Sequence, residues 1–481
     1  MDKSFLSNPF TLTRKKYDNQ CLLDNCSKLR HSYFYYDEDT LFATYTTEDM
    51  DVYLIGYILD IRNAQQTKET IIQLLGNKYS RSLTDFYNEL QFMNGRYVLI
   101  FDDSNDTIVY SDATVMRPLF YWNNEIISSH EIIIRETLKD ELDIHLERHQ
   151  LQMNSFLDYS NTEEVYKFNP NLCFSFKKQK FIRFYPMDKY KNQSIEEVIK
   201  NTENYFSPQV EWLDRHFKII YQSLTGGFDA KLSLAINKPI FNKLRLFTYM
   251  YKFNEDDEYD ALSQHKKIYY KDQYIVDGLV YNFNLNHSYF YFGDYKMPKE
   301  YQKTMSTHVT SHHSYILSYL TYNEFEKNSI HVKSTLYELA KQPYSTYAEM
   351  KTDDALILKA FKHWAPKEIR ENSELLKEMY HSYFRRNRLQ EVINKGFNLP
   401  MVIYWEYRMG NWHSNITQET DTVMETFIFI NSRYMIDQLL TLKLQDKKEK
   451  YYLTELVKKF WPALNYFVSN SFDTLENVNQ D

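Results

Sequence analysis

One stretch of the chain decides the fold, and it reads FKIIYQSLTGGFDAKLSLAINK at positions 217–238. The apolar run at its start predicts a buried strand, and the apolar spacing after Asp229 predicts a helix. Gly226 and Gly227, the only adjacent glycines in the sequence, lie between the two. Backbone N–H groups at the start of a helix point toward an anion, so this arrangement predicts a phosphate site. The alternative on the local pattern is a tight structural turn.

Strand-like and helix-like runs alternate downstream of this loop. The runs LRLFTYMY (244–251) and HSYFYF (287–292) predict two more strands, and residues 260–285 between them predict a helix. Such alternation is typical of a doubly wound parallel sheet, and the periodicity after residue 300 adds further helices.

Upstream, short strand-like runs bounded by turn residues predict an α+β domain with a mainly antiparallel sheet. A change in character near residues 187–195 gives two predicted domains, 1–190 and 195–481.

The composition narrows the class of protein. The 481 residues include 9 glycines, where an average usage of about 7% gives roughly 34. A net charge of -8 argues against a nucleic-acid partner. The three cysteines are too few for a disulfide framework. The N-terminal residues do not resemble a secretory signal. No apolar run of about 18 residues predicts a membrane span. We therefore expect a soluble, cytoplasmic protein.

The glycine loop and several later motifs resemble one protein family. TGGFDA (225–230) resembles the SGGxDS pyrophosphate loop of the N-type ATP pyrophosphatases, and the rest of the chain resembles the asparagine synthetase superfamily. MNGRYVLIFD (93–102) is similar to its LNGxFAFxxxD strand, and FIFIN (427–431) and KYYL (450–453) are similar to its PFLD and KxxLR motifs. The resemblance spans about residues 45–465, and it rests on the order of motifs that are individually weak.

This resemblance implies an Ntn-hydrolase-like α+β sandwich, followed by an α/β synthetase domain of the adenine nucleotide α-hydrolase type with extra helices. Glutamine-dependent members of the family use an N-terminal cysteine as nucleophile. Here Met1 is followed by Asp2, and Cys21 and Cys26 are internal. The first domain is thus expected to be a degenerate glutamine amidotransferase that does not hydrolyse glutamine.

The resemblance also implies ATP and Mg²⁺ as cofactors and a set of site residues. Asp229 is the expected magnesium ligand, while Ala230 replaces a serine whose role Lys231 would take over. In the second family loop, SGxGxDE, Tyr337 stands where an aspartate is expected, leaving Glu338 as a catalytic candidate. Lys450 is the other catalytic candidate, although its charged surroundings also suit a surface lysine. The expected nucleotide contacts are Ser223, Thr225, Gly226, Gly227, Asp229, Lys231 and Thr248.

The implied function is an ATP-dependent ligase that adenylates a carboxylate, releases pyrophosphate and passes the acyl group to an amine. The acceptor would be a peptide, as in lasso peptide cyclases, or a sugar acid of a surface polysaccharide. A homodimer or a partner from the same biosynthetic pathway is compatible with this function. The alternative is a non-catalytic scaffold or binding protein. An open pocket above Gly226 and Gly227 on which Asp229 and Glu338 converge favours the enzyme, and aromatic side chains filling that pocket favour the scaffold.

Overall fold

Antiparallel strands make up the first part of the molecule, and parallel strands follow. The structure is a computed structural model that describes residues 5–17, 23–151, 153, 155–254, 257–309, 315–341, 357–358, 361–467 and 469. The predicted change from an antiparallel to a parallel sheet is confirmed. Within the described ranges, no helix is long and apolar enough to cross a membrane.

Two six-stranded antiparallel sheets form the first part, with strand orders β10-β8-β9-β1-β3-β2 and β12-β11-β7-β6-β5-β4. The strands are β1 (Phe10–Thr13), β2 (Asn25–Lys28), β3 (Tyr33–Tyr36), β4 (Phe42–Thr46), β5 (Met50–Asp60), β6 (Met93–Asp103), β7 (Thr107–Ser111), β8 (Phe120–Trp122), β9 (Ile126–Ser128), β10 (Val165–Lys167), β11 (Leu172–Ser175) and β12 (Lys180–Arg183). The helices are α1 (Lys68–Arg81), α2 (Leu83–Leu90) and α3 (Glu131–Leu142).

Strand β6 shows how these layers pack. Successive side chains of a strand point to opposite faces, and here both faces are buried. Val98 and Ile100 pack in a cluster with Phe34 of the other sheet, whereas Leu99 packs in the cluster that includes Leu75 of α1. The second sheet therefore lies between a layer of helices and the first sheet.

The parallel sheet has five strands in the order β15-β14-β13-β16-β17. They are β13 (Ile220–Ser223), β14 (Leu244–Met250), β15 (His287–Tyr291), β16 (Ser329–Val332) and β17 (Met424–Phe427). The chain builds outward from β13 to one edge and then returns to the other side with β16. In open α/β sheets of this kind, ligands bind beyond the carboxyl ends of the strands where the order reverses. That point lies between β13 and β16.

Helices surround this sheet and complete the second part. They are α4 (Ile195–Thr202), α5 (Phe206–His216), α6 (Phe228–Ile236), α7 (Gln264–Phe283), α8 (Lys299–His308), α9 (Ile316–Glu324), α10 (Lys367–Glu371), α11 (Ser373–Arg386), α12 (Leu389–Asn394), α13 (Leu399–Ile403), α14 (Ser414–Gln418), α15 (Arg433–Thr441), α16 (Leu444–Lys448) and α17 (Tyr451–Phe460). A π-helical segment (Tyr404–His413) joins α13 to α14.

Buried polar contacts join the two parts. Arg96 of β6 donates hydrogen bonds to Asp421 (2.7 Å) and Glu425 (2.9 Å), and Arg117 donates to Glu425 (2.6 Å). Asn94, also on β6, donates to the side chain of Gln209 (2.6 Å) on α5. Because burying charges is tolerated only when they are paired, these contacts fix how the two parts meet.

Candidate functional site

A cavity of about 590 Å³ opens at the carboxyl edge of the parallel sheet, at the point where the strand order reverses. Ser223 at the end of β13, Phe247 and Tyr249 on β14, and Lys333 after β16 contribute to its lining. The cavity therefore lies where the topology of an open α/β sheet predicts a ligand.

The glycine loop forms one wall of this cavity. Gly227 is the residue that precedes α6, and no side chain caps the start of that helix. Gly227, Phe228 and Asp229 all line the cavity. The first N–H groups of a helix have no partner within it, so the uncapped end of α6 offers donors and a partial positive charge to a bound anion. The two glycine N–H groups have partners, because Gly226 donates to Asp272 (2.9 Å) and Gly227 donates to the Thr225 hydroxyl (3.4 Å).

The structure brings together some of the predicted site residues and separates others. Those lining the cavity are Ser223, Thr225, Gly227, Asp229 and Lys450. Lys231 is outside the lining, and its Nζ donates to the carbonyl of Phe467 (2.7 Å). Thr248 is also outside it, and its hydroxyl donates to the carbonyl of Leu224 (2.6 Å). Both side chains therefore bind backbone carbonyls and lie outside the cavity lining.

Asp229 forms an ion pair that no local sequence pattern predicts. Its Oδ2 lies 2.5 Å from Nζ of Lys341, and its Oδ1 is buried with no hydrogen-bond partner among the described residues. Burial raises the pKa of Asp229, while Lys341 and Lys450 act in the opposite direction. Burial alone would lower the pKa of Lys341, but Asp229 and Glu338 outweigh it and raise that pKa.

Glu338 lies in a short 3₁₀ turn (Tyr337–Ala340) beside this ion pair but not in the cavity lining. Burial, and then the Asp229 carboxylate, raise the pKa of Glu338 to about 7. Tyr337, which replaces the expected aspartate, is fully buried in the main hydrophobic core. The two loops thus bring Glu338 close to Asp229, while Tyr337 faces away from the cavity.

Among the described residues, three lysines line the cavity: Lys333, Lys341 and Lys450. Lys450 precedes α17 in a left-handed conformation, and its Nζ lies 5.3 Å from the ring centre of Phe228. Burial lowers the pKa of Lys333 to about 8, an effect that Glu419 opposes. The cavity therefore presents a cationic surface next to the start of α6.

The described lining also contains aromatic side chains and a neutral imidazole. Phe247, Tyr249, Phe325 and Trp412 line the space without filling it. His413 shares a hydrogen bond with Thr335 (3.2 Å), and burial lowers the pKa of His413 well below 6.5, so the imidazole is neutral at physiological pH. Binding pockets commonly combine an apolar lining with a few polar groups that fix orientation.

Comparisons with known proteins give no family. No protein-family model and no curated protein matches the chain. Among solved structures, it is similar to glutamine phosphoribosylpyrophosphate amidotransferase from B. subtilis in complex with ADP and GMP, with 10% identity over 76% of this chain and 75% of that one, and a TM-score of 0.22. It is also similar to the allosteric regulatory enzyme of purine biosynthesis, with 9% identity over 76% and 74% of the two chains and a TM-score of 0.25.

Likenesses this weak reveal nothing about the site. The fold is compatible with the asparagine synthetase superfamily, and membership in that superfamily stays a prediction.

Several residues of the cavity were not predicted from the sequence. Lys341 meets Asp229 across 112 positions of sequence, so no local pattern could have paired them. Lys333 follows a buried strand directly, and that position was a usable signal, because residues after parallel strands gather at one edge of the sheet. Together with Lys450 and the start of α6, these lysines can neutralise a polyanion. The aromatic side chains of the lining can stack on a flat ring.

Proposed function

We propose that the protein is an ATP-dependent ligase that activates a carboxylate as an acyl-adenylate and transfers the acyl group to an amine. The observation that carries this proposal is the 590 Å³ cavity, whose described lining combines an uncapped helix start, three lysines and several aromatic side chains. A nucleoside triphosphate has the matching parts, a polyanion and a flat base.

The proposed chemistry has two displacements. The substrate carboxylate attacks the α-phosphorus of ATP and pyrophosphate leaves; the amine then attacks the acyl carbon and AMP leaves. Charge develops on phosphate oxygens in the first step, and preorganised donors and cations near it lower the barrier. The first N–H groups of α6, Lys450 and Lys333 would supply these groups, and Thr225 would add a hydroxyl donor.

Magnesium accompanies ATP in the family that the sequence resembles, with Asp229 as the expected ligand. Asp229 and Glu419 are the carboxylates in the cavity lining described by the structure. Lys341 pairs with the first, and the second interacts electrostatically with Lys333. Mg²⁺ is usually held by one or two carboxylates together with waters. The Asp229 oxygens do not fit that role while Lys341 occupies one and the other is buried, so no step here depends on the metal.

The amine is proposed to come from the acceptor substrate or from ammonia, and the acceptor to be a peptide or a sugar acid. Strand β6 resembles part of the family's amidotransferase domain. Two of its residues, Asn94 and Arg96, form hydrogen bonds with the second part of the chain. This packing supports a structural role for the first part of the chain.

The test is ATP binding by calorimetry, followed by pyrophosphate release with a panel of amino acids, peptides and sugar acids. The Lys450→Met variant should weaken ATP binding about tenfold or more, because it removes a charge-assisted contact to phosphate. Lys458→Met is the matched control, since this lysine lies on α17, the helix that follows Lys450, with 68% of its side chain exposed. Absence of ATP binding by the unaltered protein would reject the proposal.

A non-catalytic binding protein of the same fold is the second candidate. The ion pair between Lys341 and Asp229 favours it, because that pair occupies the carboxylate expected to bind magnesium. ATP binding without pyrophosphate release for any carboxylate in the panel would support this candidate over the ligase.

A further inference from the structure

The cation nearest to Asp229 is part of the chain itself. Lys341 Nζ lies 2.5 Å from Asp229 Oδ2, and both residues line the cavity beside the start of α6. The two side chains are 26% and 17% exposed, so the pair faces the cavity but is shielded from bulk water. Partial burial strengthens such a charge-assisted contact relative to one on the surface.

The second oxygen of Asp229 gives a metal ion no better access. Asp229 Oδ1 has almost no accessible surface and no hydrogen-bond partner within the described ranges. A divalent cation at this carboxylate would have to displace Lys341 and would also be repelled by Lys450, which interacts electrostatically with Asp229. Dehydrating Mg²⁺ is itself unfavourable.

We propose that Lys341 takes the place of a divalent cation at this site, so that the cavity binds a pyrophosphate-containing anion without a metal. This inference rests on the proposed function, since it concerns how the same cavity holds the phosphates of its ligand. Among the described residues of the lining, three lysines outnumber the two carboxylates, Asp229 and Glu419, and the helix start adds partial positive charge. The described lining therefore carries more positive than negative side chains.

The sequence changes in the second loop agree with this arrangement. The family loop would place an aspartate at the position of Tyr337, but this side chain is buried in the core. Glu338, the remaining acid of the loop, lies outside the cavity lining and contributes to the negative potential that holds Lys341. The loop therefore supplies no second carboxylate to the described lining of the cavity, and Lys341, which follows its 3₁₀ turn, contributes a positive charge there instead.

The experiment measures binding of ATP and of inorganic pyrophosphate by calorimetry, once in EDTA and once in excess MgCl₂. The unaltered protein should bind both anions in EDTA, with a dissociation constant within about threefold of that in MgCl₂, because no site for the metal has to be filled. The Lys341→Met variant should bind about tenfold or more weakly in EDTA. MgCl₂ should restore much of this loss, because the freed Asp229 carboxylate can then accept the metal.

Two further variants test the source of the rescue by MgCl₂ and control for the loss of a lysine. Lys341→Met combined with Asp229→Asn should lose the rescue by MgCl₂, because it lacks the carboxylate. Lys327→Met removes an exposed lysine outside the cavity lining and should bind like the unaltered protein. Melting curves with and without MgCl₂ give a readout independent of anion binding, since the metal should raise the melting temperature of Lys341→Met alone.

The outcomes separate the two proposals. Binding of ATP and pyrophosphate only in MgCl₂ would overturn the role of Lys341 and leave the proposed function intact. Equal binding by the unaltered protein and Lys341→Met in EDTA would also overturn that role. No binding of either anion in either buffer would overturn both.

Discussion

Arg183 and Glu406 form a salt bridge that joins the antiparallel part of the molecule to the helices around the parallel sheet. Arg183 Nη1 lies 2.5 Å from Glu406 Oε1, and the two side chains are 1% and 0% exposed. The side-chain amides of Asn169 and Asn171 also donate to the Glu406 carboxylate, both at 2.8 Å. A carboxylate with this many donors is well satisfied, and every one of them comes from the first part of the chain.

Replacing Glu406 by Gln should destabilise the protein by about 3 to 5 kcal/mol, because it leaves the Arg183 guanidinium buried without its counter-charge. The measurement is the midpoint of urea unfolding followed by tryptophan fluorescence and by circular dichroism. Glu391→Gln is the control, since its pair with Arg388 is about 40% exposed and should contribute about 1 kcal/mol or less. Similar losses for the two variants would show that the interface does not depend on this pair.

Replacing Tyr337 by Asp, the residue expected from the family loop, should not create a metal site. Tyr337 is fully buried in the main core, so the aspartate would leave an unpaired charge and a cavity, at a cost of about 3 kcal/mol or more. Thermal unfolding with and without MgCl₂ measures both effects. Tyr337→Phe is the control, because it removes only the hydroxyl. A Tyr337→Asp variant that folds normally and gains stability from Mg²⁺ would contradict the placement of this loop.

Local sequence patterns were enough to predict the strand, glycine turn and helix around Gly226 and Gly227, because short-range periodicity and turn chemistry determine that unit. The change from antiparallel to parallel strands was predictable for the same reason. The side chains and carbonyls that contact the site residues could not be predicted from local patterns. Lys341 reaches Asp229 only through the folded chain, and Lys231 follows the loop directly yet donates to the distant Phe467 carbonyl. Side-chain direction and long-range pairing come from tertiary packing.

Lys447 should limit stability at neutral pH. This lysine is 4% exposed, and burial lowers its pKa to about 7. Since the unfolded chain binds a proton more tightly here, the buried lysine costs stability below pH 7, and the cost disappears as pH rises toward 10. Lys447→Met should therefore stabilise the protein by about 1 to 3 kcal/mol at pH 7 and hardly at all at pH 10. Urea unfolding between pH 7 and pH 10 measures this difference in stability, with the exposed Lys448→Met as control. A gain in stability of Lys447→Met that does not depend on pH would contradict the prediction.

Lys333 should make anion binding in the cavity dependent on pH. Its pKa is lowered to about 8, chiefly by burial, so the ammonium is charged at pH 7 and largely neutral at pH 9. ATP keeps its phosphate charge over this range, because phosphate protons with a pKa near 6 are already lost. Affinity for ATP should therefore fall about threefold to tenfold between pH 7 and pH 9 as one positive charge leaves the cavity. Calorimetry in EDTA measures this dependence, and the Lys333→Met variant should bind more weakly at pH 7 with a flatter profile. An unchanged pH profile in that variant would assign the titration to another group.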